Sequence, residues 1–435
     1  MTRFLVFGAG FVAEPVVEYL SRNKSNQITL ADYDFANTQV INNKYPHILS
    51  QQIDVTDKTS LIELVKNAEV VVSLVPAPFH PLIARVCIEQ KAHLVTASYE
   101  SDAMRELAGD AKKADIIILN EIGLDPGIDH LSAMEIIDKA REKGEEVESF
   151  TSWCGGIPAP DDNDNPLGYK FSWEPRGALM ALLNDAIYLQ NNEIKKVKGE
   201  DLLLWSKPMK IAELNLEGYP NRESISYKKT YGIESASSIL RGTLRYQGFS
   251  QIIQSAKSLG LLNPDLQSIP TDISWREFVV LLNQKDDIKT IQAKLLEQSK
   301  QALEWVGCFS EIAVEKKPSA LDAFCTLLLQ KLTYRENQKD MVVLQHEFII
   351  KKTDDSRYKL TTVLKQIGEV DGYSAMAKTV GYPAAMAAQL IADGKVKNKG
   401  LILPVTKDIY RPILKSLAGE NIVFSEFVQT KRKAK

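Results

Sequence analysis

The sequence begins with an apolar run, Phe4–Phe7, that leads directly into the glycine-rich segment Gly8-Ala9-Gly10-Phe11-Val12-Ala13 and then into an amphipathic helical pattern. The first glycine permits a tight turn, the second lets a ligand approach the backbone, and the small Ala13 lets the helix pack closely on the strand. Exposed N–H groups at the start of a helix bind anions. This G-x-G-x-x-A pattern therefore predicts a strand–turn–helix unit that binds the pyrophosphate of a dinucleotide.

Four further apolar runs follow within the first 125 residues: Ile28–Leu30, Val70–Val75, Leu94–Ala97 and Ile116–Leu119. They are continuously apolar, as in strands that are buried on both faces of a parallel sheet. Amphipathic helical patterns separate them. Alternating strands and helices predict an α/β fold with a doubly wound parallel sheet of the Rossmann type.

An acidic residue, Asp32, ends the second apolar run, 22 positions after Gly10. A carboxylate in this place accepts the ribose hydroxyls of NAD and repels the 2′-phosphate of NADP. We therefore predict NAD as the cofactor. NADP stays the alternative cofactor, because neighbouring lysines or arginines can override the repulsion from one carboxylate. The alternative to any cofactor site is a purely structural turn in which Asp32 is only solvated.

The length, the net charge and the apolar runs of the chain exclude several classes of protein. A chain of 435 residues suggests two or three domains, and a net charge of −3 leaves no basic footprint for nucleic acid or an anionic membrane. No run approaches the roughly 18 apolar residues of a membrane helix, and the first apolar run is too short for a signal peptide. We therefore expect a cytoplasmic protein.

Cysteines and histidines show no metal-binding spacing. The four cysteines, Cys87, Cys154, Cys308 and Cys325, lie far apart and are expected to be reduced thiols. No pair of histidines has ligand spacing, so we predict no metal site.

After Phe150 the pattern changes, and the features here predict a second unit. A loop runs from Cys154-Gly155-Gly156-Ile157-Pro158-Ala159-Pro160 to Gly168, and mostly helical patterns follow over 250–338. An antiparallel hairpin is predicted over 341–370, with its turn at Asp354-Asp355. The chain then continues with an Ala-rich helix interrupted at Gly381-Tyr382-Pro383, a strand at Leu401–Leu403 and a basic tail.

Polar residues that follow the later apolar runs are candidate site residues, because ligands bind at the carboxyl ends of parallel strands. Ser98 and Tyr99 follow one run, and Asp125 follows another in Leu124-Asp125-Pro126-Gly127. Asp129 and His130 simply start the next helix in the simplest interpretation. A lone Tyr or Asp after a strand is often only a turn former or a helix cap.

Four arginines lie within three residues of Gly, Pro, Tyr or Thr: Arg176, Arg222, Arg241 and Arg245. Such arginines are candidates for bidentate binding of carboxylates. The alternative is a solvated surface charge, which is what most arginines are.

Several longer strings are specific enough to identify a family. The sequence resembles the glutamate-forming saccharopine dehydrogenases, also called saccharopine reductases, from the first strand almost to the C-terminus. The strings that carry the resemblance are Asn120-Glu121-Ile122-Gly123-Leu124-Asp125-Pro126-Gly127-Ile128-Asp129-His130, the segment from Cys154 to Pro160, Asn165-Pro166-Leu167-Gly168-Tyr169-Lys170-Phe171-Ser172-Trp173, Tyr219-Pro220-Asn221-Arg222, Arg241-Gly242-Thr243-Leu244-Arg245-Tyr246-Gln247-Gly248, Asp340-Met341-Val342-Val343-Leu344-Gln345-His346 and Gly372-Tyr373-Ser374-Ala375-Met376-Ala377.

The resemblance implies a domain organisation and a homodimer. It predicts a Rossmann domain over 1–128, completed by about 375–435, a substrate and dimerisation α/β domain over 129–249 and 339–374, and a mostly helical insert over 250–338.

The resemblance also implies a reaction. Saccharopine is lysine and glutamate joined through one secondary amine, with three carboxylates. Its oxidation passes a hydride to the nicotinamide, and hydrolysis of the imine gives L-glutamate and α-aminoadipate semialdehyde. The reverse reaction serves lysine synthesis. Asp32-Tyr33-Asp34 stands where fungal NADP-dependent members have an arginine after the second strand, which again favours NAD.

Site residues follow from the same resemblance. Asp125 and Tyr99 are the first candidates for acid–base or binding roles at the substrate amine, and Cys154 is a candidate proton relay or a small buried thiol. The predicted substrate-binding residues are Ser98, Tyr99, Asp125, Arg222, Thr243, Leu244 and Arg245. The predicted cofactor-binding residues are Gly8, Ala9, Gly10, Phe11, Val12, Asp32, Asp54, Val55, Val75, Ala97, Leu124, Asp125 and Pro126.

Two other functions stay open. One is a related imine-reducing enzyme, such as a carboxynorspermidine dehydrogenase, which needs fewer arginines for carboxylates. The other is a non-catalytic dinucleotide-binding sensor. The two matched arginines argue against the first, and Asp125, Tyr99 and both arginines argue against the second.

Overall fold

The structure, a computed structural model, describes residues 1–265, 269–270, 272–284 and 286–430. The strands of this part of the chain are β1 Thr2–Phe7, β2 Asn26–Asp32, β3 Leu49–Gln52, β4 Val70–Ser73, β5 His93–Thr96, β6 Ile117–Leu119, β7 Glu146–Pro158, β8 Ala186–Gln190, β9 Glu193–Val197, β10 Lys207–Ile211, β11 Leu214–Pro220, β12 Ser238–Tyr246, β13 Asp340–Lys351, β14 Arg357–Ile367, β15 Gly400–Ile402 and β16 Ser425–Thr430.

The α-helices of the same residues are α1 Ala13–Ser21, α2 Phe35–Lys44, α3 Lys58–Val65, α4 His80–Gln90, α5 Asp102–Arg105, α6 Ala108–Lys113, α7 Ile128–Glu142, α8 Pro175–Ala181, α9 Tyr227–Thr230, α10 Phe249–Ser258, α11 Trp275–Asn283, α12 Ile288–Lys294, α13 Glu297–Val306, α14 Ala320–Leu332, α15 Ala375–Ala392 and α16 Lys407–Gly419. Three short 3₁₀ segments lie at Ala77–Phe79, Pro160–Asp162 and Gly199–Trp205.

The chain divides into two compact units. The first comprises Met1–Glu145 and Tyr373–Phe424, and the second comprises Glu146–Gly372 and, of the described C-terminal residues, 425–430.

The first unit is built on a seven-stranded parallel sheet in the order β15-β6-β5-β4-β1-β2-β3. Strands β1 to β6 have the strand order of a dinucleotide-binding Rossmann sheet, in which the order reverses between β1 and β4. This confirms the predicted fold class. The predicted C-terminal strand is β15, which adds a seventh strand beside β6.

Helices pack on this sheet through apolar faces. Inward side chains of β1, β4, β5 and β6 form one core cluster with residues of α3, α4 and α6. Helices α1 and α15 pack against each other, and α15 also contacts β4 and β5. The predicted interruption of the Ala-rich helix at Gly381-Tyr382-Pro383 was wrong, because α15 runs through it. A Cβ on Gly381 would lie 2.7 Å from the Val12 carbonyl oxygen, so the glycine lets the two helices approach closely.

The second unit is built on a mixed sheet in the order β10-β11-β12-β7-β13-β14-β16, with β8 pairing to β12 and to β9. Strand β7 is parallel to β12 and antiparallel to β13, and the predicted hairpin is β13 and β14. Residues of α8, α10, α11, α13 and α14 build a large apolar core beside it. This mixed sheet with helices confirms the predicted second α/β unit.

The predicted loop from Cys154 was wrong over its first five residues, because β7 continues to Pro158. Cys154 pairs with Thr243 of β12 on one side and with Leu344 of β13 on the other. A central strand that is hydrogen-bonded on both sides outweighs the weak strand propensity of Gly155-Gly156. The predicted basic tail extends into 431–435, which lie outside the described residues.

All four cysteines are buried free thiols. Burial raises the pKa of the Cys87 and Cys308 thiols well above the ordinary value. Within the described ranges, no helix combines the length and hydropathy that crossing a bilayer requires. The same residues contain no group of three or more His, Cys, Asp or Glu side chains placed to hold a metal ion.

Candidate functional site

The glycine turn has the backbone that a pyrophosphate site requires. Gly8 has a φ of +95° and donates its N–H to the Ala31 carbonyl at 2.8 Å, and a Cβ there would lie 3.1 Å from the carbonyl oxygen of Leu74. Gly10 is exposed, and a Cβ at Gly10 would enter open space. The turn is therefore tight at its base and open at the start of α1, where a phosphate group would lie. These residues fit a dinucleotide.

Asp32 ties the end of β2 to this turn. Its Oδ2 accepts a hydrogen bond of 2.7 Å from the Ala9 N–H, and its Oδ1 accepts from the Asp34 N–H at 2.9 Å and from Asn37 Nδ2 at 3.2 Å. The carboxylate is half-buried. Three donors orient Asp32 beside the turn, which places it where a ribose would follow the pyrophosphate.

Asp54 follows β3 at the same edge of the sheet. It is exposed, and its Oδ1 accepts from the Thr56 hydroxyl at 2.6 Å and from the Thr56 N–H at 2.9 Å. The bond from the Thr56 hydroxyl is the main reason that the pKa of the Asp54 carboxyl is lowered from its ordinary value.

The other predicted cofactor residues differ in accessibility. The Phe11 side chain is 58% exposed, while Leu124 and Pro126 are buried. Val12, Val55, Val75 and Ala97 are half-buried. All lie in the first unit, after β1, β3, β4, β5 and β6.

The two leading candidates of the first unit are brought together. The Tyr99 hydroxyl donates a hydrogen bond of 2.9 Å to Asp125 Oδ1, and both side chains are half-buried. Tyr99 lies three residues beyond β5, and Asp125 lies in the loop between β6 and α7. The pair joins the carboxyl ends of two neighbouring strands, at the edge of the sheet where ligands bind.

The segments that carry this pair are joined by Glu121. Its N–H donates to the Ser98 carbonyl at 3.1 Å, and its Oε1 accepts from the Glu100 N–H at 2.8 Å. Its Oε2 lies 2.8 Å from Nε2 of the buried His130 in the first turn of α7. Glu121 therefore links the Tyr99 segment to the start of the helix that follows Asp125. Burial is the main reason that the pKa of the Glu100 carboxyl is raised, and the negative charge of Glu121 adds to it.

A third group at this edge is His80, the first residue of α4. Its Nδ1 lies 3.0 Å from the Ser73 hydroxyl, and its Nε2 lies 2.8 Å from the Ser98 hydroxyl and 3.1 Å from the Thr96 hydroxyl. The imidazole is buried, which lowers the pKa of His80 to about 4. It joins the ends of β4 and β5 as a neutral ring.

In the second unit, three predicted residues share one face of the sheet. Cys154 and Thr243 are paired on neighbouring strands, and Arg245 is two residues beyond Thr243 on β12. Leu244 points to the opposite face, where its side chain lies in an apolar cluster with Leu216 and others. Only the backbone of Leu244 therefore lies beside these three side chains.

Arg245 is a buried cation in an aromatic setting. Its guanidinium lies 5.1 Å from the Tyr169 ring centroid and 5.4 Å from the Phe249 ring centroid, and Nη1 donates to the Leu244 carbonyl at 2.7 Å. Its Nε is buried without a hydrogen-bond partner among the described residues. Burial raises the pKa of Tyr169 to about 12, and the Arg245 charge opposes that rise. A buried guanidinium with an unused Nε donor is suited to receive a carboxylate.

The other three arginines differ in setting. Arg222 follows β11, is exposed and has a φ of +51°. Arg241 is buried, donates from Nη1 to the Tyr227 hydroxyl at 2.7 Å and lies over the Tyr227 ring. Arg176 is exposed and forms an ion pair of 2.7 Å with Asp322 on the surface, as the alternative interpretation of these arginines predicts.

Sequence reasoning assigned no role to His80 or Glu121. His80 follows β4 in the same way that Tyr99 follows β5, so its position after a predicted strand was the available signal. Glu121 lies two residues after the predicted strand Ile116–Leu119. Neither residue belongs to a motif of fixed spacing, and most of their hydrogen-bond partners are distant in sequence.

Two family models match nearly the whole chain. One, for the saccharopine dehydrogenase NADP binding domain, matches residues 4–119, and the other, for the saccharopine dehydrogenase C-terminal domain, matches residues 123–423.

Individual relatives give the same result. The chain is 40% identical over 428 residues to saccharopine dehydrogenase [NADP(+), L-glutamate-forming] from Saccharomyces cerevisiae, covering 95% of this chain and 96% of that protein. It is 41% identical over 439 residues to mitochondrial alpha-aminoadipic semialdehyde synthase from Mus musculus, covering 97% of this chain but only 47% of that protein. The chain thus spans about half the length of this second relative.

A solved structure agrees with the sequence matches. Apo histidine-tagged saccharopine dehydrogenase (L-Glu forming) from Saccharomyces cerevisiae superposes with a TM-score of 0.88 at 39% identity, covering 99% of this chain and 100% of that one. These matches confirm the resemblance seen in the sequence. The chain belongs to the saccharopine dehydrogenase family.

Proposed function

We propose that this chain oxidises the secondary amine of saccharopine with a nicotinamide dinucleotide, and that water then cleaves the imine to L-glutamate and α-aminoadipate semialdehyde, or that it catalyses the reverse. The observation that carries this proposal is the 40% identity to the yeast saccharopine dehydrogenase over nearly the full length of both proteins. Water and the oxidised cofactor are the only co-reactants, and the reduced cofactor and a proton are released.

The first unit holds the cofactor in this proposal. Backbone N–H groups at Gly10 and the start of α1 bind the pyrophosphate, and Asp32 accepts hydrogen bonds from the adenosine ribose. When bound, the nicotinamide supplies the hydride acceptor for the oxidation. The residues at the ends of β4, β5 and β6 then border the site of chemistry.

Asp125 and Tyr99 bind the substrate amine. The Asp125 carboxylate holds the ammonium form by charge, and the Tyr99 hydroxyl keeps that carboxylate oriented through their 2.9 Å hydrogen bond. We assign Asp125 chiefly as an electrostatic anchor, since the proton of the amine can leave to Tyr99 or to water. Ser98, one residue before Tyr99, offers a further hydroxyl to the substrate.

Arg222 and Arg245 bind substrate carboxylates. Saccharopine carries three carboxylates, and a planar guanidinium binds one through two parallel hydrogen bonds. Arg245 is already desolvated and has an unused Nε donor, so it gives up little hydration when it binds. Thr243 and Cys154 share its face of the sheet, and the thiol of Cys154 serves as a proton relay in this assignment.

For the cofactor we propose a preference for NAD over NADP. The support is Asp32, whose carboxylate is fixed beside the glycine turn, and the absence of Lys and Arg from residues 32–37, which carry a second carboxylate at Asp34. Like charges disfavour a 2′-phosphate there. The family model and the yeast relative carry NADP in their descriptions, and kcat/KM measured with each cofactor decides between the two.

Three further predictions stay predictions: a cytoplasmic location, a homodimer, and the domain boundaries at 128, 249, 338 and 374. The homodimer is tested by sedimentation equilibrium.

The experiment for the activity supplies saccharopine with each oxidised cofactor separately. We expect the absorbance of the reduced nicotinamide to rise and glutamate to be released in equal amount. Release of lysine instead of glutamate, or no reduction with either cofactor, would contradict the proposal. Carboxynorspermidine, supplied in parallel, is the control substrate for the related imine-reducing enzymes.

A further inference from the structure

His80 occupies a central place at the edge of the parallel sheet. It starts α4, and its ring is only 2% exposed. One nitrogen, Nδ1, contacts Ser73 at the end of β4, while the other, Nε2, contacts Thr96 at the end of β5 and Ser98 just beyond it. A single ring thus joins two neighbouring strands, and one of its partners, Ser98, directly precedes Tyr99.

The ring acts through hydrogen bonds rather than charge. Burial lowers the pKa of His80 to about 4, so the imidazole is neutral near pH 7. A neutral imidazole has one donor nitrogen and one acceptor nitrogen. Three hydroxyl partners occupy both nitrogens, and Thr96 Oγ1 also accepts the Ser98 N–H at 3.3 Å.

The contact with Ser98 extends to the proposed substrate residues. Ser98 is half-buried, and its hydroxyl lies 2.8 Å from His80 Nε2. The Ser98 carbonyl accepts the Glu121 N–H, and the next residue, Tyr99, donates to Asp125. Movement of Ser98 would therefore shift the segment that presents Tyr99.

We propose that His80 is a positioning residue: through Nε2 it fixes the hydroxyl of Ser98, and with it the Tyr99 segment, in the orientation that binds the substrate. The identity of that substrate as saccharopine rests on the proposed function. The contact of Nδ1 with Ser73 has only a structural role in this proposal.

The two nitrogens can be separated by a matched pair of variants. In His80→Gln the side-chain amide reaches the place of Nε2 and keeps a partner for Ser98 and Thr96, whereas in His80→Asn the amide reaches the place of Nδ1 and keeps a partner for Ser73. Both variants replace the ring by an amide, but His80→Gln loses the contact with Ser73 and His80→Asn loses the contacts with Ser98 and Thr96. Because both are expected to lose some stability, each variant controls for the effect of that loss on the kinetics of the other.

We expect His80→Gln to keep the KM for saccharopine within about threefold of wild type, and His80→Asn to raise it about tenfold, the effect of losing one or two hydrogen bonds. The Kd of the cofactor should stay unchanged in both variants, because the hydrogen-bond partners of His80 are Ser73, Thr96 and Ser98, which lie outside the glycine turn. Equal KM values in the two variants would overturn the proposal and leave His80 a merely structural residue.

Amide hydrogen exchange over residues 97–100 gives a second readout that needs no activity. It should accelerate in His80→Asn and not in His80→Gln. If wild type does not oxidise saccharopine, the proposed function fails. The exchange data still show whether His80 orders residues 97–100 through Nε2. Exchange that accelerates equally in both variants, or in neither, would overturn the proposal.

Discussion

The hydroxyl of Tyr99 donates a hydrogen bond of 2.9 Å to the carboxylate of Asp125, although the two residues are 26 positions apart in the chain. They meet because β5 and β6 are parallel neighbours, so the segments that follow them leave the sheet at the same edge. Because the two side chains are hydrogen-bonded to each other, we expect the effects of substituting them to be interdependent.

The first prediction concerns this pair. Asp125→Asn keeps the shape of the side chain but removes its charge, and we expect KM for saccharopine to rise about tenfold with a smaller change in kcat, the pattern of a lost binding interaction. If Asp125 were the general base, kcat would instead fall by roughly 10²–10⁴-fold. Steady-state kinetics separate the two patterns, and an unchanged Tm shows that the fold is intact.

Tyr99→Phe completes a double-mutant cycle with Asp125→Asn. Because the two side chains are in direct contact, the double variant should lose less than the product of the two single losses. Multiplicative losses would show that Tyr99 and Asp125 act separately.

The second prediction concerns Arg245. Arg245→Ala should reduce the free energy of saccharopine binding, or the transition-state stabilisation measured by kcat/KM, by about 2–5 kcal/mol. The reason is that the variant leaves a desolvated substrate carboxylate without its partner. Arg245→Lys should recover little of this, since an ammonium lacks the planar pair of donors. The matched control is Arg176→Ala, which removes an exposed arginine paired with Asp322 and should leave kcat/KM unchanged. Normal kinetics of Arg245→Ala would exclude Arg245 from the substrate site.

The third prediction concerns cofactor choice. Wild type should have a higher kcat/KM with NAD than with NADP, and Asp32→Ala should narrow this difference chiefly by weakening NAD. The variant also loses the bond from the Ala9 N–H, so the Tm of the free protein is measured beside the kinetics. Comparable wild-type values with NAD and NADP would contradict the proposed preference.

The fourth prediction tests the glycine turn independently of the substrate. In Gly10→Ala the new methyl group enters open space, so the free protein should keep its Tm within the usual scatter of surface substitutions. The same methyl group would occupy the approach of the pyrophosphate, so the Kd of the cofactor should rise at least about tenfold.

Gly109→Ala, in helix α6 and also facing open space, is the control that should leave the Kd unchanged. Cofactor titration followed by protein fluorescence gives both values. Tight cofactor binding by Gly10→Ala would place the pyrophosphate elsewhere.

The fifth prediction concerns stability against pH. The pKa of His80 falls from its ordinary value of 6.5 to about 4 in the folded protein because the ring is buried. Between these values the unfolded chain binds the proton and the folded chain does not, so the free energy of unfolding falls as the pH is lowered from 6.5 to 4. The full effect is about 3 kcal/mol.

Urea denaturation of wild type and His80→Gln at a series of pH values checks this. As the pH is lowered from 6.5 to 4, the free energy of unfolding of wild type should fall relative to that of His80→Gln. The reason is that the histidine titrates in this pH range and the glutamine does not. A difference that is constant with pH would contradict the assignment of a neutral buried imidazole.

The sequence predicted the elements whose signal is local. Strand runs buried on both sides, the glycine turn and the position of Asp32 after β2 were all readable, because each depends on residues close together in the chain. The Cys154 segment and the Gly381-Tyr382-Pro383 segment were predicted wrongly for the same reason: glycine and proline disfavour regular structure locally, whereas pairing with β12 and β13, and packing of α15 on α1, outweigh that preference.

The amino-acid sequence by itself determined the parallel-sheet fold, the family and the candidate residues, since hydrophobic periodicity and motif spacing are properties of the linear chain. Tertiary structure alone decided that Tyr99 meets Asp125, that His80 holds Ser98 and that Arg245 is buried with an unused donor while Arg176 is paired on the surface. These relationships arise when strands distant in sequence become neighbours, because a side chain's partners and its exposure to water depend on that arrangement rather than on the residues beside it in the chain.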